Sequence, residues 1–391
     1  MAELVFDYLI IGGGIAGTTA AETIRQKDQN GSVALICGEP HFLYSRVLLP
    51  EFIRKEIELD KVMLRTAGDY KKNGIDIFLN ESVCDFNSQT MTLKTISGKE
   101  FRAKKILIAS GGRPKLWNFE TLLPGNIFRL QTLDDALKIK EFLSSRPSGT
   151  ALVVGGGFMA LEFIAILAKY GWKIKLLCAE KYFWPDFLDE TGFGILKDLW
   201  QKNGIETIFG REIKNSAELD ADFVGVGIGL DRNLDFLPHA AIKPPSGGLE
   251  VNEHLETGTP NVWAAGDVAS YKDRFSGRRR SGGNWSGAFM QGRTAGLNMA
   301  GGKESFKNIP VYAISHLGVN ISFVGDVGPF DEKFGVKTEE IRFDKEKKEH
   351  IKIFMKDNRV IGAVLMNGQR FLGKINQAIM NGWADSKITL D

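Results

Sequence analysis

Paired cysteine is the first thing this sequence lacks. Its 391 residues hold three cysteines, Cys37, Cys84 and Cys178, and no two stand at a CxxC or CxxxxC spacing. A local zinc knuckle and a local redox disulfide are therefore not encoded. So low a count suits a reducing, cytoplasmic compartment. The five histidines are scattered, and with no cysteine cluster beside them no metal site is expected. A basic, apolar, small-residue leader is missing at the first residues, which predicts no secretory targeting. Charge of one sign is scarce too: 50 Lys and Arg against 48 Asp and Glu leave +2, so nothing in the balance demands nucleic acid or a membrane surface. The longest apolar stretch, ALVVGGGFMALEFIAILA at 151–168, is broken by three consecutive glycines and by Glu162. It reads as a buried strand, turn and helix rather than a membrane span.

What is present is ordinary globular material, 43% apolar and 25% charged, long enough for two or three domains. The first half reads as strand–helix–strand units: a buried strand over 4–11, a helix over 15–27, a strand over 32–37, and KKILIASGGRP running from a strand into a glycine turn. Residues 114–124 read as a crossing linker and 133–144 as a helix. The unit of 150–178 then repeats the opening arrangement, and 221–229 and 257–269 add two more buried strands. From about 305 the texture changes. HIKIFMKDNRVIGAVLM (350–366) is two β-patterned runs about an Asp357-Asn358 turn, followed by a short helix near 370–381; the charge run DKEKKEH (344–350) reads as a solvated loop. The expected fold class is α/β: two Rossmann-like dinucleotide-binding domains of the three-layer ββα type and a small C-terminal α+β domain. Their expected bounds are 1–115 with 233–304, 116–232, and 305–391.

Two glycine cradles carry the chemistry. Gly12, Gly14 and Gly17 fit G-x-G-x-x-G between a strand and a helix. The first glycine permits the tight turn, the second lets the backbone approach a pyrophosphate, and the third lets helix and strand pack closely. The helix N-terminus offers free N–H groups to phosphate. Glu39 follows the second strand, where a ribose-binding acid belongs. The later copy has Gly155, Gly157 and Ala160, and alanine is tolerated in the third place. Its ribose position falls on Cys178 by spacing, with Glu180 two residues on and Lys181 adjacent to meet a 2′-phosphate; NADH is favoured over NADPH. Two cradles imply two dinucleotides, and the simplest chemistry between them is hydride transfer from a nicotinamide to a flavin.

On these residues the chain resembles the FAD-dependent pyridine-nucleotide oxidoreductases. Within them it is most similar to rubredoxin and ferredoxin reductases, the flavin part of the nitrite reductase large subunit, and apoptosis-inducing factor. Four ordered motifs carry the resemblance: GGGIAG (12–17), GEPHFLYSRVLL (38–49), IASGGRP (108–114) and TPNVWAAGDVA (259–269). It implies that Gly12, Gly14, Ile15, Ala16 and Gly17 hold the FAD pyrophosphate, Glu39 the adenine-side ribose and Arg46 a phosphate. Ala109, Ser110 and Gly111 would form the crossover, Val83 a backbone contact to adenine, and Asp267 a bond to the ribityl chain. Asn284 and Trp285 would lie by the isoalloxazine. Gly155, Gly157, Phe158, Met159, Ala160, Glu180 and Gly227 would hold the nicotinamide dinucleotide. Glu162 would act near the nicotinamide and flavin N5. His316 either approaches the flavin or is a structural histidine.

The chain also departs from the family. A lysine that partners this glutamate in several relatives is replaced by Glu51, which leaves Glu162 without its usual partner. Val47 stands where oxidases and peroxidases resembling this chain carry a reactive cysteine. With no thiol relay, the expected acceptor is an external one-electron carrier, a rubredoxin or ferredoxin. Arg274, Arg278, Arg279 and Arg280 form either its basic docking patch or a solvated flexible loop. A homodimer is compatible with all of this. The alternatives are a flavin subunit of a larger redox complex and a non-catalytic FAD-bound interaction module; a direct NADH oxidase ranks below both.

Overall fold

The computed structural model describes residues 3–119, 125–214, 219–237, 247–281, 283–328, 330 and 332–384. The end of the expected 114–124 linker lies outside them. The fold is α/β with an added β domain, and the chain divides into two compact units. The first comprises Met1–Val47, Leu59–Arg113 and Asp231–Asn308; the second comprises Leu48–Glu58, Pro114–Leu230 and Ile309–Asp391.

The first unit is built on a sheet in which Ile75–Phe78, Val33–Ile36, Leu4–Ile11 and Glu100–Ile108 run parallel in that order. Leu9, Ile10, Leu35 and Leu107 are fully buried, because strands covered on both faces read as continuous apolar runs. Glu100–Ile108 is long enough to serve two neighbours on its far edge. Its start pairs antiparallel with Thr92–Thr95, and its end pairs parallel with Val262–Ala264. The helix Ile15–Lys27 leaves the first strand at once. Against it lies the helix Trp285–Met299, so close that a Cβ on Gly292 would stand 2.2 Å from the Ala16 carbonyl oxygen.

The second unit repeats the arrangement. Glu206–Phe209, Lys173–Cys178, Thr150–Val154, Phe223–Val226 and Ile127–Phe128 form a parallel sheet in that order. The helix Leu133–Ser145 starts on a capping box between Thr132 and Asp135. The C-terminal part is a five-stranded antiparallel sheet, ordered Val311–His316, Val319–Gly325, Arg359–Met366, Glu349–Lys356 and Lys337–Asp344. Asp357 and Asn358 both have positive φ, the hairpin geometry that their residue types favour. The helix Leu372–Asn381 ends at left-handed Gly382.

One expectation is corrected here. The run 344–350 is not all solvated loop: Asp344 and Glu349 close a hairpin, and Glu349 and His350 are buried at 1% and 0% exposure. Glu349 is buried because Arg342 and Arg370 both pair with it. Charge density alone could not separate the solvated turn from the paired strand ends. Among the described residues no helix is long and apolar enough to cross a membrane.

Candidate functional site

The first cradle is closed by backbone contacts that only glycine permits. Gly12 has φ +112, and a Cβ there would fall 2.2 Å from the carbonyl oxygen of Ala109. A Cβ on Gly17 would fall 1.9 Å from the Gly12 carbonyl oxygen. Gly14 differs: it is the N-cap of Ile15–Lys27, has ordinary φ −71, and a Cβ on it would meet nothing within 4 Å. The fold therefore requires Gly12 and Gly17. The space above Gly14, in front of the free N–H groups of Ile15 and Ala16, suits a phosphate-bearing ligand, so this cradle fits a dinucleotide.

The second cradle has the same construction. Gly155 has φ +129 and would place a Cβ 2.3 Å from the Gly227 carbonyl oxygen. Gly157 caps the helix Phe158–Lys169 with extended φ, and Ala160 in the third place is fully buried. Met159 packs on Gly227, while Phe158 meets Tyr312 and Phe323 edge-to-face and Trp184 at a tilt. The correspondence extends to the thiols. A Cβ on Gly13 would meet Cys37 Sγ at 2.6 Å, and one on Gly156 would meet Cys178 Sγ at 2.7 Å. Glu39 and Glu180 each follow their cysteine by two residues. Glu180 thus takes the same register in the second cradle that Glu39 takes in the first. Cys178 donates its thiol proton to Glu180 Oε2 over 2.9 Å, and burial, then that bond, push the thiol up to about 12.

In the first unit a cavity is lined by Gly13, Gly14, Glu39, Tyr44, Arg46 and Trp285, among others. Glu39 accepts from Tyr44 Oη at 2.5 Å and from Arg46. Trp285 is half-buried and faces this cavity rather than the core. Asn284 caps the helix Trp285–Met299, its Oδ1 accepting from Gly287 N at 2.6 Å, so its amide group alone remains for a ligand. Val83 stands apart from the cavity, half-buried against the sheet core. Ser110 Oγ donates to Asn233 O at 2.6 Å, which pins the crossover; Gly111 has φ +67. Asp267 sits in the single turn Gly266–Val268. Burial raises its carboxyl, and Arg232 and Arg46 oppose the rise.

In the second unit Glu162 lies on Phe158–Lys169 and is not alone. Arg54 Nη1 stands 3.4 Å from Glu162 Oε2, so a different cation stands beside the glutamate although Glu51 replaces its usual lysine partner. Arg54 follows Glu51 by three residues, one helical turn along Leu49–Ile53 and its C-cap. Reading the i, i+3 neighbour as well as the aligned position would have found it. Burial still holds the Glu162 carboxyl up at about 7, with Glu51 and Glu56 adding to the rise and Arg54 opposing it. His316 is fully buried; it accepts from Trp200 Nε1 at 2.8 Å, and burial lowers it to about 4.

The four arginines are less free than their sequence suggests. They belong to a hairpin of Ala269–Lys272 and Arg279–Ser281. Asp273 organises its turn by accepting from Phe275 N and Ser276 N, which displaces the reading as a flexible loop. Arg280 faces buried Asp273 at 3.5 Å, Arg279 donates to Ser270 O at 2.6 Å, and Arg274 is exposed. Asp189, Glu340 and His350 gather possible ligand atoms within 4.8 Å of one another. Buried Lys352 and the N-terminus of Glu190–Lys202 add positive charge beside them, so the group reads as a balanced ion cluster.

Comparison with known proteins agrees with this construction. The model of a family described as pyridine nucleotide-disulphide oxidoreductase matches residues 6–292. The chain is 28% identical over 377 residues to an NADH-rubredoxin oxidoreductase of Clostridium acetobutylicum, covering 95% of this chain and 93% of that one. It is 25% identical to human apoptosis-inducing factor 3, covering 97% of this chain and 64% of that one. The crystal structure of the Clostridium acetobutylicum NADH:rubredoxin oxidoreductase superposes with a TM-score of 0.81 at 26% identity, covering 99% of this chain and 98% of that one.

Proposed function

We propose a function from the premise that this chain belongs to the pyridine nucleotide-disulphide oxidoreductase family, as the match over residues 6–292 establishes. It is an FAD-dependent NADH oxidoreductase of that kind. The finer reading is a reductase that takes electrons from NADH and delivers them singly to a small iron protein, a rubredoxin or ferredoxin. The observation that carries it is the doubled cradle, with one acid at the same register in each: Glu39 and Glu180.

When bound, FAD supplies the exchange between a two-electron donor and one-electron acceptors. The residues that would hold it are the N–H groups after Gly14, Arg46 at its diphosphate, Glu39 at its ribose and Asp267 at its ribityl chain. Those that would hold NADH are Gly155 to Ala160 and Gly227, with Glu180 on the ribose; a carboxylate there repels a 2′-phosphate and favours NADH over NADPH. Glu162 would lie by the nicotinamide, and at neutral pH its carboxyl is poised between its two forms. The cysteines do not offer a dithiol relay: Cys37 and Cys178 are buried, Cys84 is exposed, and all three are free. The domain bounds of the sequence reading are proposed as the working division into flavin, nicotinamide and C-terminal parts.

An anaerobic titration tests this reading. The yellow protein is expected to bleach stoichiometrically with NADH and to reoxidise on addition of rubredoxin or ferredoxin. Absence of bleaching with FAD plainly bound would overturn it in favour of a flavin subunit fed by another protein.

A further inference from the structure

Arg232 holds a hydrogen-bond donor that the protein itself does not use. Its Nε is buried and has no partner among the described residues. A buried donor atom left unpaired is costly, so such an atom points to an acceptor that arrives with a ligand. Its place in the chain is fixed. Asn233 N donates to Gly111 O at 3.0 Å, Asn233 Nδ2 donates to Ser110 O at 3.0 Å, and Ser110 Oγ donates to Asn233 O at 2.6 Å. These bonds bind the residue after Arg232 to the crossover whose first member, Ala109, closes under Gly12.

Charge points the same way. Arg232 is near enough to Asp267 to oppose the effect of burial on that carboxyl, as Arg46 is. Arg46, however, is already shared with Glu39. A diphosphate brings two negative charges, and the glycine cradle offers it only neutral N–H groups. We propose that Arg232 is a second cation of the flavin site, its guanidinium donating to the diphosphate of FAD alongside Arg46. The inference rests on the reading of the first unit as the FAD site, and adds a residue that the sequence motifs do not mark.

The test is binding to apoprotein stripped of flavin, followed by quenching of flavin fluorescence, with FAD and with riboflavin, which lacks both phosphates. Arg232→Gln is expected to weaken FAD about tenfold or more, the scale of a charge-assisted hydrogen bond, while riboflavin changes by less than about twofold. Arg232→Met, which keeps the aliphatic stem, is read in the same way should the Gln variant fail to fold. FAD affinity equal to that of the unaltered protein, or equal losses for FAD and riboflavin, would overturn the inference. If the unaltered apoprotein binds no FAD, the flavoprotein reading itself fails; if it binds and the variants match it, only this inference does.

Discussion

Arg54 Nη1 and Glu162 Oε2 stand 3.4 Å apart, yet burial keeps the glutamate carboxyl up at about 7. The pair is a partial substitute: the arginine narrows the cost of the buried charge without cancelling it.

That imbalance sets a pH dependence. The folded value lies above the ordinary 4.5, so the folded protein binds the extra proton. Stability from neutral Glu162 is full below about 4.5 and is lost as pH rises through about 7. Thermal melts of the unaltered protein are expected to weaken from about pH 5 to about pH 8 by about 1–3 kcal/mol more than those of Glu162→Gln. Arg54→Gln should move the fall to higher pH. Identical pH profiles for the parent and Glu162→Gln would contradict this account.

The glycines of the first cradle separate by role. Gly12→Ala forces a Cβ onto the Ala109 carbonyl at positive φ, and is expected to destabilise by several kcal/mol, about 3 or more. Gly14→Ala meets no atom within 4 Å and should cost at most about 1 kcal/mol as a poorer N-cap. It should nevertheless lose FAD affinity. Urea unfolding of the apoproteins, set beside flavin titrations, distinguishes the two.

Glu180 should govern nucleotide choice. Glu180→Ala is expected to weaken NADH about tenfold, one charge-assisted hydrogen bond, and to leave NADPH less affected. Rapid-mixing reduction with each nucleotide reads both values. Unchanged discrimination would remove Glu180 from the ribose site.

The ion cluster anchors the C-terminal sheet to the helix Glu190–Lys202. His350 Nε2 lies 3.0 Å from Asp189 Oδ1, and Asp189 also caps that helix through Gly192 N. Burial would raise Asp189, but the bonds from His350 and Gly192 outweigh it and hold it at about 2. Its contribution is therefore present above about 3.8 and is lost as pH falls through about 2. Asp189→Ala is expected to cost about 2–4 kcal/mol in denaturant unfolding, from the lost cap and the stranded buried histidine.

The sequence made some of this legible and hid the rest for physical reasons. Leu4–Ile11, Ile15–Lys27 and Thr150–Cys178 were readable because buried parallel strands and glycine turns leave continuous local signatures. Val311–His316 and Lys337–Asp344 were not: half-exposed antiparallel strands carry a weaker pattern that is fixed by their partners. The glycine turns of both cradles were legible in the sequence. Arg54 and Arg232 were hidden because their meaning comes from what folding brings beside them, Glu162 and Asp267. The arginine hairpin was left open by the sequence for the same reason, since Asp273 and Ser270 take up charges that the sequence displays as free.

The matched positions of Cys37 and Cys178 also give each cradle its own chemical clock. Alkylation needs an accessible thiolate, and burial raises both thiols while Cys84 lies exposed as an internal reference. The rate at which each buried sulfur is modified reports the opening of its own cradle. On the proposed assignment of the two cradles, mass spectrometry of one sample would time the departure of FAD and of the nicotinamide nucleotide separately, without a label added to either.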